Sequence, residues 1–303
     1  MKMWMIYDRE GLARNRDYIT LYEAACAPYG IEVETVYAHH VRGRITGGET
    51  PVFALVRTIE PELNLFLEEH GIPVFNSYQV SRICNDKGET LSYLKKTVLC
   101  VPSLSFAHSD LSCVLGQEKE ELRTYFLEHF KYSTHEEQER MLIGQAEDFV
   151  VKTVNGHGGS QVFSLFCERD KIRKEMPGQD FVLQPMVRTD RAGRDLRVYV
   201  IGQEIVAAVM RSCAGDFRAN YSRGAAVSLY SLEASQMETV RRVISKFDFG
   251  MAGIDFILDD GENMILNEIE DVVGARMLYR CAPEFDIVRE YVRYLVEEKL
   301  HVV

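Results

Sequence analysis

Apolar positions in the first third of the chain follow the spacing of strands that alternate with helices. Strands are predicted at 4–7, 32–38 and 53–57, with a short extended segment from 73, and helices at 17–29 and 61–71. Gly30 has the position of a glycine that ends a helix. Strands and helices at this spacing imply βαβ units, so residues 1–98 are predicted to form a small, doubly wound α/β lobe.

The rest of the chain has a different pattern, in which strands follow one another closely. Residues 117–148 combine Glu, Lys and Arg with interleaved apolar positions, which predicts helices with solvated faces. Strands are predicted at 149–153, 162–166, 181–184, 196–201, 205–211, 253–258 and 264–268, and helices at 232–247 and 285–299. The short separations favour hairpins and antiparallel pairing, so this part is predicted to be α+β.

Composition and charge exclude several classes of protein. A hydrophobic fraction of 46% is typical of a globular protein, and a net charge of −11 offers no overall basic field to nucleic acid or to an anionic membrane. No apolar run approaches the roughly 20 residues that cross a bilayer. The seven cysteines are scattered without a CxxC pair, so neither a zinc site nor a disulfide framework is indicated. We therefore expect a cytoplasmic protein with no nucleic-acid or membrane partner.

A glycine-rich segment at 155–160 lies between two predicted strands. Three glycines in four positions allow the backbone to approach a ligand and to point several N–H groups at one anion. Lys152, on the preceding strand, could hold the same anion. An ordinary hairpin turn also explains the glycines, and the segment alone favours that interpretation.

Three carboxylates on two neighbouring predicted strands form a candidate metal site. Glu268 and Glu270 are two residues apart, so they share one face of a strand, and Asp255 lies on the paired strand among apolar residues. An ionised acid in that setting is costly unless it is paired or binds a metal. The carboxylates suit one or two Mg²⁺ ions that also hold phosphate, although strand-end acids can also be merely solvated.

Arginines form the third feature. Arg197 lies on a predicted strand of apolar residues, Arg211 ends the next strand, and the segment 216–224 adds further arginines. Guanidinium groups that converge can bind phosphate or carboxylate oxygens, although each arginine alone could be a surface charge. Together with the glycine segment and the acids, they indicate a nucleotide triphosphate site.

The order of these motifs resembles the RimK-like α-L-glutamate ligase family of the ATP-grasp superfamily, over about residues 76–280. The matching stretches are 85–87, 101–102, 150–152 with the glycine segment, 182–186, 193–197, 216–224, 253–255 and 268–270. The resemblance implies an ATP-grasp fold, α+β with an α/β N-terminal lobe. It divides the chain into an N-terminal domain at 1–98, a central lobe with a glycine-rich lid at 99–185, and a C-terminal lobe with the metal site at 186–303. The nucleotide would lie between the last two lobes.

The resemblance also implies roles for individual residues. The nucleotide contacts would be Lys87, Lys152, Gly156, Gly158, Gly159, Ser160, Gln184, Pro185, Met186, Asp195, Arg218 and Asn220. Within this set the two lysines would contact phosphates, 156–160 would close as a lid, and 184–186 would face adenine. Arg197, Arg218 and Lys152 would be catalytic, and Asp255, Glu268 and Glu270 would bind Mg²⁺ or Mn²⁺ beside ATP.

The chain departs from the family pattern at the end of the metal motif. Glu270 stands where the family usually has Asn, and Ala225 replaces a frequent glycine. Residues 271–276 also differ from the commoner Asn-Ser-x-x-Gly type, which leaves the substrate open.

The resemblance implies an ATP-dependent carboxylate–amine ligase that works through an acyl phosphate. The expected reaction adds glutamate or another amino acid to a peptide or small-metabolite carboxylate. A cross-linking or dipeptide-forming ligase, and a non-catalytic nucleotide-binding regulator, are alternatives. A homo-oligomer is compatible with the family. Several polar residues of the N-terminal lobe would face the acceptor, namely Arg9, Arg14, Asn15, Arg16 and Arg57, although the arginines could equally be surface charges. His39 and His40 are expected in a loop.

Overall fold

Three β-sheets organise the chain in the computed structural model, which describes residues 1–156, 161–187, 194–213, 225–259 and 261–301. Each sheet carries helices, and the mixture of parallel and antiparallel sheets agrees with the predicted α+β class. The candidate site lies where these sheets approach one another.

The first sheet is parallel, as predicted for the N-terminal lobe. Its strands, in the spatial order β2-β1-β3-β4, are β1 Lys2–Tyr7, β2 Glu32–Tyr37, β3 Phe53–Val56 and β4 Val74–Phe75. Its helices are α1 Arg9–Arg14, α2 Arg16–Cys26, α3 Ala38–Thr46 and α4 Pro61–Glu69. Gly30 follows a short 3₁₀ turn after α2 with φ of 65°, which is the left-handed conformation that the sequence position predicted.

The expectation that His39 and His40 lie in a loop is wrong. Both are on α3, where they are exposed. The helix forms because Ala38, Val41 and Ile45 have helical spacing and bury one face. The two histidines occupy the opposite, solvated face, so only the pattern of their apolar neighbours identifies the helix.

The second sheet is antiparallel and belongs to the middle of the chain. Its strands, in the order β5-β8-β6-β7, are β5 Leu104–Phe106, β6 Phe149–Thr153, β7 Val162–Ser164 and β8 Phe181–Pro185. Helices α5 Tyr78–Cys84 and α6 Lys87–Leu94 precede this sheet in the chain and pack against the third sheet. The helices around the second sheet are α7 Leu111–Gly116, α8 Lys119–His129, α9 Glu136–Gly144 and α10 Arg169–Glu175. Antiparallel pairing confirms the expectation of hairpins in this region.

The third sheet is also antiparallel and carries most of the candidate site. Its strands, in the order β11-β10-β9-β12-β13, are β9 Arg194–Ile201, β10 Glu204–Ser212, β11 Ala226–Leu229, β12 Met251–Leu258 and β13 Met264–Glu270. Its helices are α11 Ala234–Ile244, α12 Arg276–Cys281 and α13 Ile287–Arg293, the last continued by a π-helical segment, Tyr294–Lys299.

The first and third sheets share one hydrophobic core. Met3 and Tyr22 of the N-terminal lobe are buried in the same cluster as Tyr199 of β9 and Tyr291 of α13. Helix α13 packs directly on α2, although the two are far apart in sequence. This packing fixes the position of the N-terminal sheet relative to the strands that carry the candidate site.

Asn76 is a polar connection across this shared core. Its Nδ2 donates to the carbonyl oxygens of Met251 at 2.9 Å and Asp271 at 3.0 Å, and its Oδ1 accepts from the Gly250 N–H at 2.6 Å. Replacing Asn76 with Ala would leave three buried backbone groups without partners, so we expect the free energy of unfolding to fall by about 3 kcal/mol. Urea unfolding would measure this change in the free energy of unfolding, and Asn263→Ala, at an exposed position, is the control. A decrease below about 1 kcal/mol in Asn76→Ala would contradict the expectation.

Among the described residues, no helix has both the length and the apolar character that a membrane crossing requires.

Candidate active site

The three predicted metal-binding acids are brought together by β12 and β13. Asp255 is the register partner of Glu268, and Gly253 is the partner of Glu270, with a bulge directly after Asp255. One carboxylate oxygen from each acid lies within 4.8 Å of the others. Asp255 is fully buried and the two glutamates are half-buried, so the cluster opens on one side. An all-oxygen donor set of this size fits a hard divalent cation such as Mg²⁺.

Two buried arginines on adjacent strands bond to this acidic cluster. Arg197 donates from Nε and Nη2 to the two oxygens of Asp255, each at 2.6 Å, and from Nη1 to Glu270 at 2.7 Å. Arg211 donates from Nη2 to Asp255 at 2.8 Å and to Asp195 at 2.7 Å. Arg197 comes from β9, which lies beside β12, and Arg211 comes from β10, which lies on the other side of β9. These bonds hold the acids close together against their mutual repulsion.

The two lysines reach the cluster from the middle of the chain. Lys152 of β6 donates from Nζ to Asn267 Oδ1 at 2.7 Å, and Lys87, at the start of α6, forms an ion pair with Glu268 at 3.5 Å. Lys87 also donates to the carbonyl oxygen of Gly156. Both lysines are buried. The second sheet and helix α6 therefore each present one lysine to the acids of the third sheet.

The pKa values in the cluster reflect burial and the nearby charges. Burial alone would raise the pKa of Asp255, but Arg197 and Arg211 outweigh it and lower the pKa to about 2. Burial lowers the pKa of Lys152 to about 8, although the charge of Glu268 opposes this shift. Asp255 is thus anionic at neutral pH, whereas the charge of Lys152 titrates slightly above it.

Of the other predicted nucleotide contacts, some are described by the structure and some lie outside the described residues. Gly156 is described, and a Cβ there would meet Thr153 Oγ1, so the close approach requires glycine. Asp195 is bonded to Arg211, and burial raises its pKa to about 6. Gly158, Gly159, Ser160, Arg218 and Asn220 lie outside the described residues.

The predicted adenine hinge lies at the end of β8. The side chain of Gln184 is buried and donates to Ser103 Oγ at 2.8 Å. The backbone N–H of Met186 donates to the carbonyl oxygen of Asp148 at 2.9 Å, and Pro185 has no N–H. Contacts from this segment to a base would therefore use carbonyl oxygens or apolar surface.

A cavity of about 610 Å³ adjoins the acidic cluster. Its lining includes Arg197, Arg211 and Glu270 of the third sheet, and Asp8, Arg14 and Arg57 of the N-terminal lobe. Sequence reasoning counted Arg211 among the converging arginines without assigning it to the site, and it gave no role to Asn267, which accepts a hydrogen bond from Lys152, or to Asn85, which lines the cavity. The sequence did contain a signal for Asn267, because this polar residue directly precedes the predicted metal ligand Glu268.

Comparison with known proteins identifies a family for the chain. The family model described as the RimK-like ATP-grasp domain matches residues 114–295. A protein of Mycoplasma pneumoniae named "Uncharacterized protein MG011 homolog" is 31% identical over 148 residues, which is 48% of this chain and 50% of that protein. A probable alpha-L-glutamate ligase of Haemophilus ducreyi is 24% identical over 238 residues, 75% of this chain and 67% of that protein. The chain thus spans about half to two thirds of the length of these relatives.

Solved structures confirm the predicted ATP-grasp fold. The D-alanine–D-alanine ligase of Bacillus anthracis has a TM-score of 0.68 at 15% identity, with 100% of this chain and 98% of that chain covered. The ATP-grasp ligase PsnB, solved with its minimal precursor, Mg and ADP, has a TM-score of 0.62 at 16% identity, with 97% and 96% covered. At these identities the likeness concerns the fold alone.

Proposed function

Because the chain belongs to the RimK-like ATP-grasp family, we propose that it is an ATP-dependent carboxylate–amine ligase that works through an acyl phosphate. The favoured reaction adds glutamate or another amino acid to a carboxylate of a peptide or small metabolite. The name of the Haemophilus ducreyi relative supports a glutamate ligase. The chemistry rests on the charged cluster between the second and third sheets.

The observation that carries the proposal is the charge balance of this cluster. It contains four acids and four cations, namely Asp195, Asp255, Glu268, Glu270, Lys87, Lys152, Arg197 and Arg211. A balanced, largely buried cluster has no surplus positive charge for a triphosphate. A bound triphosphate therefore requires divalent cations, and three of the four acids have oxygens close enough to hold them.

The metal site would consist of Asp255, Glu268 and Glu270. Bound there, Mg²⁺ or Mn²⁺ would offset negative charge on the phosphate oxygens. The bonds from Arg197 and Arg211 occupy only part of the acceptor capacity of Asp255, because a carboxylate has about four lone-pair sites.

The remaining chemistry is assigned to the chain's own side chains. Lys87, at the start of α6, and Lys152, on β6, would hold phosphate oxygens while a carboxylate oxygen attacks the γ-phosphorus and ADP leaves. An amine would then attack the acyl carbon, releasing phosphate and a proton. Arg197 and Arg218 would stabilise the oxyanion of that step, although Arg218 lies outside the described residues. The segment from Gly156 to Ser160 would exclude water from the acyl phosphate.

The proposed function is tested with carboxylates labelled with ¹⁸O. A panel of peptide and small-molecule acceptors would be incubated with ATP, Mg²⁺ and amino acids. Acyl-phosphate chemistry transfers one labelled oxygen into the released phosphate, and mass spectrometry detects it. Tight ATP binding without ADP formation across the panel would instead favour a nucleotide-binding regulator, and unlabelled phosphate would exclude the acyl phosphate.

A cross-linking or dipeptide-forming ligase is the second candidate function. Residues 271–276 differ from the commoner family sequence, and the similar folds include a D-alanine–D-alanine ligase and a ligase solved with its minimal precursor. Product mass separates the reactions. Loss of one water within a peptide marks a cross-link, whereas addition of a residue marks amino-acid transfer.

Glu270 sets the metal requirement in this proposal. We expect Glu270→Asn to raise the Mg²⁺ concentration for half-maximal ADP formation by about tenfold, because one negative ligand is lost. Titration of turnover with Mg²⁺ would measure the change, and magnesium removal with EDTA should abolish turnover in both proteins. The exposed Glu238→Asn on α11 is the matched control, and an unchanged Mg²⁺ requirement in Glu270→Asn would remove this residue from the metal site.

A further inference from the structure

Three arginines of the cavity beside the acidic cluster have no acidic partner. Five arginines line this cavity of about 610 Å³, and Arg197 and Arg211 are bonded to the acids of the cluster. Arg14, Arg57 and Arg276 form no ion pair within the part of the chain that the structure describes. Asp8 also lines the cavity, so the three arginines without an acidic partner leave a surplus of positive charge in the part of the cavity outside the cluster.

Arg57 is the most buried of these three arginines. It directly follows β3, at the carboxyl end of a parallel strand, and its Nη2 donates to the carbonyl oxygen of Val273 at 2.9 Å. Its guanidinium carbon lies 5.3 Å from the centre of the Tyr18 ring. Its Nε is buried and has no hydrogen-bond partner among the described residues. Burial of a guanidinium with unused donors is costly, and an anion in the cavity would remove that cost.

Arg14 and Arg276 approach the same cavity from separate elements. Arg14 is the last residue of α1, and Arg276 is the first residue of α12. Both are exposed, so neither is required for the core. The tertiary fold places Arg14 and Arg276 at the same cavity as Arg57. Guanidinium groups bind planar carboxylates through paired hydrogen bonds.

We infer that Arg57, together with Arg14 and Arg276, binds a second carboxylate of the acceptor substrate. This inference rests on the proposed function, in which a first carboxylate reacts beside Arg197 and Glu270. The acceptor is then a compound with two carboxylates separated by a short chain, either a free dicarboxylic acid or the acidic end of a peptide. Arg57 is a specificity residue, because it touches a part of the substrate that does not react.

The test measures binding and does not require turnover. Isothermal titration of the full chain, with Mg²⁺ and a non-hydrolysable ATP analogue, would compare glutarate with pentanoate, which has the same chain length and one carboxylate fewer. We expect glutarate to bind at least about tenfold more tightly, since one charge-assisted contact has roughly this effect. An acetylated peptide ending in glutamate, titrated in parallel, distinguishes a peptide acceptor from a free acid.

Variants test whether these arginines cause the preference for glutarate over pentanoate. Arg57→Gln and Arg14→Gln are each expected to reduce the preference for glutarate by about tenfold while pentanoate binding stays unchanged. Arg9→Gln is the matched control, because Arg9 is an exposed arginine on the same helix as Arg14 and does not line the cavity. If Arg57→Gln does not fold, Arg14→Gln and Arg276→Gln carry the test through exposed side chains.

The outcomes separate this inference from the proposed function. Equal binding of glutarate and pentanoate, no binding of either, or an unchanged preference in the arginine variants would overturn the second carboxylate site. Labelled phosphate from a monocarboxylate acceptor, with no effect of Arg14→Gln, would leave the ligase intact and remove the site. Arginine-dependent glutarate binding without ADP formation from any acceptor would retain the site and overturn the ligase.

Discussion

Replacement of Asp255 with Asn is expected to reduce ATP-dependent phosphate release by about 10³-fold. The loss corresponds to about 4 kcal/mol of transition-state stabilisation, which is of the size that a metal–phosphate interaction supplies. The same change should lower the free energy of unfolding by about 3 kcal/mol, because it removes the acid shared by two buried arginines. The acids Glu270 and Asp195 remain bonded to these arginines, which keeps the destabilisation at the lower end of the range.

The variant Glu268→Gln separates the loss of phosphate release from the loss of stability. Glu268 is half-buried, and its ion pair with Lys87 is longer, at 3.5 Å, than the bonds of Asp255. We therefore expect a similar loss of phosphate release in Glu268→Gln but a stability change below about 1 kcal/mol. Steady-state kinetics and urea unfolding of both variants would measure this. Phosphate release within tenfold of wild type in Asp255→Asn would exclude Asp255 from the metal site.

The sequence identified the two glutamates of the acidic cluster through strand periodicity. Glu268 and Glu270 share a face whenever β13 is a strand, and β12 and β13 are close enough in sequence to pair as neighbours. The position of Asp255 depends in addition on the bulge between Asp255 and Phe256, because the regular register of Phe256 with Leu266 would place Asp255 opposite Asn267, on the other face. The lysines were placed through the order of motifs, since Lys87 and Lys152 come from elements that only the tertiary fold brings to the third sheet.

The contacts of the arginines could not be predicted in the same way. Arg197 is opposite Asp255 because β9 lies beside β12, a pairing that skips β10 and β11 along the chain. Strand periodicity indicates which face a residue occupies but not which strand is its neighbour. For Arg57 the sequence left a substrate contact and a surface charge equally open. Its contact with the Val273 carbonyl is a long-range feature that joins the first lobe to the loop after β13.

Replacement of Lys152 with Met is expected to lower kcat/KM for ATP by about 100-fold. Lys152 is a buried cation beside the acidic cluster, and a charge-assisted contact of this kind contributes up to about 3 kcal/mol. Because burial lowers the pKa of Lys152 to about 8, the wild-type protein should also lose kcat/KM as the pH rises through that value. The neutral amine cannot hold phosphate charge, so this descending limb should be absent in Lys152→Met.

The free energy of unfolding should rise with pH over the range in which kcat/KM falls. The pKa of Lys152 falls from 10.5 on folding, so the unfolded chain binds the proton more tightly and burial of the charged group costs stability at neutral pH. This cost decreases as the pH rises from about 8 towards 10.5, and Lys152→Met should therefore be more stable than wild type at pH about 7. Urea unfolding and ATP kinetics from about pH 6.5 to 9.5 would test both effects, with the exposed Lys96→Met as control. A descending limb of equal size in Lys152→Met would assign the titration to another group. A wild-type kcat/KM that stays constant across this range would show that Lys152 does not act on ATP as a cation.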